Sequence, residues 1–212
     1  MEAATPPAEP TPSQPEPPVG YPVRVSADRQ DEYARLLPLV KWLLALPHYI
    51  VLAVLFIGVL FAHLIAFFAV LFTRRYPRGL FDYVVGVYRW GWRVTAYVQL
   101  LRDQYPPFTL GEDPGYPAYL EIDYPEEGID RWRPLVQWIL IIPFLIIVWL
   151  IGIISRAATL IGLLVILFTK QLPAPLFNFI VVAQRWGARA IAYAAFMVDR
   201  YPPFDFDELG SG

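Results

Sequence analysis

Cysteine is absent from the chain, which excludes disulfides, thiolate-held metals and a cysteine nucleophile. Histidine is nearly absent: His48 and His63 are the only two, too few and too far apart for a metal site. Charge is missing over long stretches. Trp42 to Thr73 contains no Asp, Glu, Lys or Arg, and Pro134 to Thr169 contains only Arg156. Among the remaining polar residues there is no Ser/His/Asp grouping, no Gly-rich phosphate loop and no pair of carboxylates inside an apolar run. The reading is therefore a non-enzyme without a cofactor. No basic patch lies outside the segments that flank the apolar runs, which argues against a nucleic-acid partner.

What the chain does have is apolar length. Its 212 residues are 57% hydrophobic with a mean hydropathy of +0.43, above the usual apolar share of about 45–50% in soluble domains. The two charge-poor runs each exceed the roughly 18 apolar residues that mark a membrane-helix candidate. Too little chain remains to cover two such helices in water, so the fold class expected is an all-α membrane protein.

The second positive feature is a duplication. Leu80 to Phe108 returns 96 residues later as Leu176 to Phe204, keeping Arg-Trp-Gly, a further Arg, then Tyr, Asp and Tyr-Pro-Pro-Phe. Extended back to Arg35 against Arg131, the two copies align without a gap and share 30 of 74 positions. The organisation follows: a Pro-rich tail over 1–20 that is too polar to order itself, repeat one over 21–108, a linker over 109–115, repeat two over 116–204 and an acidic tail over 205–212. Tyr21 to Ala27 and Tyr116 to Asp123 both alternate with period two after a Tyr-Pro. They read as short strands, paired with each other or each with its neighbouring Tyr-Pro-Pro-Phe.

Each repeat thus consists of a long bent or hairpin hydrophobic segment followed by an amphipathic Arg/Trp helix. As one straight helix, Pro38 to Thr73 would be about 54 Å long against a hydrocarbon core of roughly 30 Å. Pro47 and Pro143 break the ladder near the start of each run. One crossing per repeat divides the basic residues evenly between the two sides. A hairpin per repeat leaves 16 of the 17 on one side, with only Arg156 near a tip, and the charge rule favours that arrangement. It places both termini and the linker in the cytoplasm and the chain in the cytoplasmic membrane.

On a helix over Phe81 to Gln104, Asp82, Arg89 and Arg93 share one face, as do Asn178, Arg185 and Arg189. The Tyr-Pro-Pro that follows stops the helix. Trp beside Arg suits the headgroup zone, so this helix is expected at the membrane interface. Arg89, Arg93, Arg185 and Arg189 are the candidates for binding lipid phosphate or another anion. The competing reading makes them structural ties to Asp82, Asp103 or Asp199. Trp90, Tyr97 and Asp103, with Trp186, Tyr193 and Asp199, form the repeated structural motif. Arg156, inside an apolar run, is a functional candidate by default and is equally explained as a hairpin-tip residue.

The apolar run, the Leu-Phe-Thr end, the basic turn with Pro77, the Arg-Trp helix and the Tyr-Pro-Pro-Phe together resemble the uncharacterised bacterial membrane proteins of domain-of-unknown-function family 4389, here in tandem. The resemblance spans roughly Tyr21 to Phe204. It implies a prokaryotic integral membrane protein and brings no activity, substrate or catalytic residue with it. Repeat two departs from it where Arg74-Arg75-Tyr76 becomes Lys170-Gln171-Leu172. The function expected is a membrane scaffold, bilayer-shaping or accessory module that touches anionic headgroups. Its partners would be membrane lipids, with other membrane proteins or further copies of the chain. The alternative is a transporter or channel accessory with a polar path between the repeats.

Overall fold

The computed structural model describes residues 20–203. The Pro-rich tail, the acidic tail and Phe204 of the second Tyr-Pro-Pro-Phe lie outside the described residues. Each repeat supplies one strand and three helices: β1 (Val23–Ala27), α1 (Leu37–Leu44), α2 (Leu46–Thr73) and α3 (Arg78–Val98), then β2 (Ala118–Ile122), α4 (Arg133–Leu140), α5 (Ile142–Thr169) and α6 (Ala174–Ala194).

The apolar run is bent and does not fold back. Pro47 sits in the first turn of α2 and Pro143 in the first turn of α5, and each run breaks just ahead of its proline, at Ala45 and Ile141. A proline lacks the N–H and crowds the preceding carbonyls, so the ladder is interrupted there and resumes after it. Beyond the break, 28 residues continue as one helix of about 42 Å. The hairpin expectation is corrected by this continuity. Gly58 and Gly152, the small residues near mid-run, do not break either helix, and no turn residues interrupt the ladder. Arg156 accordingly lies on the exposed side of an unbroken helix instead of at a tip.

Arg74 and Lys170 end the long helices in the left-handed conformation, at φ 61° and 60°. Their carbonyls then turn outward, and each receives a backbone N–H from the other half of the chain: Ile129 on Arg74, Tyr33 on Lys170. The end of α2 therefore lies beside the segment that enters α4, and the end of α5 beside the segment that enters α1. The two long helices run in opposite directions. Gly128 makes this approach possible, with φ +82° and the Arg74 carbonyl only 2.8 Å from where a Cβ would stand.

The strands do pair with each other, antiparallel, with Val25 opposite Leu120. Counted from the two Tyr-Pro pairs, Val25 and Leu120 are also equivalent positions, so an approximate two-fold axis passes between them. Tyr21 OH donates to Arg200 O as Tyr116 OH does to Gln104 O. Three layers result. The ribbon packs crosswise, β2 on α3 and β1 on α6, while α2 covers α3 and α5 covers α6. Each repeat is closed by the strand of the other.

The Arg/Trp helices form the middle layer, covered by the long helices on one side and by the ribbon on the other. Apolar residues surround them on both sides: Trp90, Val94 and Trp186 are buried. They also end earlier than Gln104. The N–H of Leu101 returns to Ala96 O and that of Leu100 to Tyr97 O, with Leu100 at φ 66°. This Schellman closure turns Leu101 into the core. Phe196 and Met197 repeat it, so that each closure falls four to five residues ahead of its Tyr-Pro-Pro.

Candidate functional site

The four arginines were the sequence's strongest candidates, and the described contacts aim them inward. Arg89 donates from Nε to Leu120 O, from Nη1 to Leu110 O and from Nη2 to Glu112 Oε1, at 3.2–3.3 Å. Arg93 donates to Thr109 O at 3.3 Å and Gly111 O at 2.7 Å. Across the two-fold axis, Arg185 Nε donates to Val25 O at 3.0 Å, the counterpart of Arg89 on Leu120. The Arg189 guanidinium lies over the Tyr21 ring at 5.3 Å. The stretch 109–115, expected as a plain linker, is a loop wound around two guanidinium groups. Its own turns are set by Thr109 and Asp113 side chains accepting from Gly111 and Gly115. The equivalent stretch of repeat two lies outside the described residues.

This placement corrects the headgroup reading for Arg93, which is 2% exposed. Burial pulls its guanidinium below the ordinary value, with Asp113 opposing that shift and Arg89 reinforcing it. A recess of about 230 Å³ beside Arg89 and Arg93 is rimmed by Glu112, Asp113 and Glu121, so an anion entering it meets carboxylates as well as guanidinium. Asp82, expected on the arginine stripe, is exposed and lies 4.0 Å from Arg78.

The repeated motif has a packing role. Asp103 binds Lys41 Nζ at 2.8 Å and the Ala34 N–H at 2.7 Å, and Lys41 also donates to Arg102 O at 2.6 Å and lies over the Tyr97 ring. In repeat two the neutral Gln137 stands for Lys41 and donates to Val198 O at 3.1 Å, the carbonyl equivalent to that of Arg102. Arg133 donates to the Asp199 carbonyl. Trp90 Nε1 donates to His48 Nδ1 at 3.0 Å, and His48 is stacked on Phe108. At the equivalent place Trp186 stacks on Phe144. Tyr193 meets Tyr201 edge-on, as Tyr97 meets Tyr105. Lys41 escaped the sequence reading, although its alignment with a neutral residue in a charge-poor run was a usable sign.

A second feature went unnoticed in the sequence altogether. Along α2, between it and α3 and α6, runs an apolar groove that reaches the ribbon at Val25, Leu120 and Ile122 and the α4–α5 junction at Ile141. One part, about 490 Å³, is bounded by Tyr49, Leu52, Gly91, Thr95, Gln184 and Gly187. The next, about 690 Å³, is bounded by Leu60, Leu64, Phe67, Trp138, Leu145 and Ala194. Phe56, Tyr88 and Ile191 line both. The polar groups on the floor are bonded to one another. His63 faces Val59 O with Nδ1 at 2.9 Å; a carbonyl only accepts, so Nδ1 carries the proton and Nε2 accepts from Tyr88 OH at 3.1 Å. Gln184 donates to Gln99 at 3.0 Å. Among the described residues no cluster of three or more His, Cys, Asp or Glu could hold a metal.

Two helices, Leu37–Thr73 and Ile142–Thr169, are long and apolar enough to cross a membrane, and only 22% of the most apolar window of each is buried. No curated protein and no solved structure matches the chain. One family does, twice, over residues 37–109 and 131–205. The repeats defined by the bent apolar helix and its Arg/Trp partner are the two units it covers, and the chain belongs to the family described as "Domain of unknown function (DUF4389)", which it carries in tandem.

Proposed function

We propose that the chain is a non-enzymatic, bilayer-shaping membrane module that lays its long helices into one leaflet and keeps its ribbon in water. The observation that carries this is the layering. Apolar side chains such as Val54, Ile57, Leu60 and Phe61 on α2, and Ile146, Trp149, Ile153 and Leu164 on α5, are exposed. The ribbon on the far side of α3 and α6 exposes Arg24 with Glu121 and Asp123. Arg74, Arg78, Glu126 and Asp130 are exposed at the end of α2.

An upright α2 would carry the ribbon beside it into the hydrocarbon, and each central charge there costs about 2.5–3.5 kcal/mol on insertion scales. Lying in the plane, the same helices bury their apolar sides while the ribbon stays wet. Arg156, midway along α5, reaches the headgroups by snorkelling. All 17 basic residues then share one side, which the charge rule makes the cytoplasmic one. Two helices of about 42 Å inserted into one leaflet expand it and favour curvature. The transport-accessory alternative has less to stand on, because the polar groups facing the groove are paired with each other.

The test uses the absence of cysteine. Asp31→Cys and Glu127→Cys mark opposite ends of α2, and Glu121→Cys marks the ribbon. A membrane-impermeant maleimide applied to one face of sealed vesicles is expected to label all three. Labelling of Asp31→Cys and Glu127→Cys from opposite faces would overturn the in-plane seat.

A further inference from the structure

We infer that the groove between α2 and the α3–α6 pair is a binding site for one acyl chain of a phospholipid drawn from the host bilayer. This rests on the membrane seat proposed above and goes beyond it, because it assigns a ligand to a defined cleft.

Two independent observations carry it. The first is the groove itself, whose apolar lining, described above, opens between Leu60, Leu64 and Phe68, side chains that are exposed and would face lipid. Each of its two parts, about 490 and 690 Å³, falls within the range of small-molecule sites, about 300–1,000 Å³. Its polar floor groups, His63 with Tyr88 and Gln184 with Gln99, satisfy one another. The groove therefore offers a ligand no charge to neutralise and an extended apolar surface to cover. Water fits such a lining poorly, since an ordered water needs two to four polar partners.

The second observation is the glycine of the Arg-Trp-Gly motif. Gly91 and Gly187 occupy equivalent places on the groove floor, inside α3 and α6. Glycine in a helix interior is less favourable than alanine, so packing normally has to justify it. Here it does not. A Cβ on Gly91 would meet nothing within 4 Å, and one on Gly187 would meet only Val148 Cγ1, at 4.0 Å. The space above Gly91 is open and that above Gly187 is bordered by Val148 alone, and both glycines line the groove. A chain lying over the α3–α6 floor would be the neighbour that a side chain at these positions displaces. An apolar chain matches the lining: the two parts share Phe56, Tyr88 and Ile191, and between them they extend from Tyr49 to Phe67 along α2.

The experiment uses the full chain reconstituted in phosphatidylcholine nanodiscs, exchanged into mild detergent and weighed by native mass spectrometry. The wild type is expected to retain one phosphatidylcholine per chain. Gly91→Leu with Gly187→Leu should lower that retention roughly tenfold or more, the loss of about two buried methylenes. Gly91→Ala with Gly187→Ala should lower it less, and Gly79→Leu, which lies at the start of α3 away from the groove, should leave it unchanged. A phosphatidylcholine with a diazirine at the acyl terminus should cross-link to peptides carrying Gly91, Ile191 and Ala194. Vesicle flotation of every variant reports the membrane seat separately. Flotation intact with wild-type retention in both glycine double variants would overturn the acyl-chain site and leave the membrane seat standing. So would cross-linking confined to side chains of α2 and α5 that lie outside the groove, or a lipid-free dimer showing that a second copy fills the groove. Failure of the wild type to float would overturn the membrane seat itself.

Discussion

Lys41 and Gln137 form a comparison that the protein makes within itself. Both are buried at equivalent positions of α1 and α4, and both donate to the carbonyl that follows the Schellman turn of their own repeat. Only Lys41 adds a charge, matched by Asp103 at 2.8 Å. Removing one partner of a buried ion pair costs roughly 3–5 kcal/mol, because the other charge is stranded. Asp103 is 19% exposed at its side chain and keeps the Ala34 N–H, so the loss on Lys41→Met should fall to about 2–3 kcal/mol, part of it from the orphaned Arg102 carbonyl. Lys41→Gln restores the carbonyl bond as Gln137 makes it and should cost only about 1 kcal/mol. Asp103→Asn leaves the ammonium at 1% exposure with a weaker acceptor and should be the worst of the three, at about 3–5 kcal/mol. Lys41→Gln combined with Asp103→Asn should recover most of that loss. The assay is reversible unfolding in mixed micelles, followed by tryptophan fluorescence. Equal losses for Lys41→Gln and Lys41→Met would refute the reasoning, since the shared carbonyl bond would then contribute nothing.

Two further outcomes are expected. Gly128→Ala should destabilise by about 2 kcal/mol or more, because it combines a left-handed φ with a Cβ driven against Arg74 O at 2.8 Å; wild-type stability for this variant in the same assay would contradict the account of the α2 end. Stability should also fall at high pH. Burial, with Asp103 adding to it, holds the Tyr33 phenol up to about 12, and burial raises Tyr76 and Tyr116 as well. A raised phenol contributes stability that is complete below the unfolded value near 10 and is lost as the pH climbs through the folded value. Tyr33→Phe should flatten that fall by roughly 2 kcal/mol in unfolding measured between pH 8 and 12, and an unchanged slope would contradict it.

The duplication, the two strands that follow the Tyr-Pro pairs and the breaks ahead of Pro47 and Pro143 were all legible in the sequence, which left open whether the strands pair with each other. Each depends on local pattern, on backbone chemistry or on the repeat's own symmetry. The course of the apolar run was misjudged for a definite reason. Counting basic residues weighs where the ends of a run would lie and says nothing of whether its backbone turns, and the run has no turn residues at mid-length: Gly58 and Gly152 stand inside unbroken helices. The contacts of Lys41 with Asp103 and of Arg93 with the carbonyls of residues 109–111 were hidden because no spacing rule reveals them. The early end of α3 was hidden similarly. Leu100 and Leu101 look like good helix residues, and it is the burial of Leu101 and the Asp103–Lys41 tie that turn the chain there. The groove left no trace beyond Gly91 and Gly187, which read as ordinary motif glycines until the empty space above them was visible.

The crosswise packing of the ribbon has a consequence for any chain carrying a single repeat. Such a chain would hold a strand that fits another molecule's Arg/Trp helix, and its own arginine helix would lack a cover. Its unpaired strand edge is a template for association, and the arrangement that closes it is a symmetric dimer in which each protomer lends its strand to the other. Tandem fusion turns that concentration-dependent assembly into an intramolecular one, with an effective concentration set by the short connection instead of by expression level. It also frees the two halves from identity. Lys41 can face a Gln137, and His48 a Phe144, so the fused pair can differentiate its two sides where a homodimer would be held to the same residue twice.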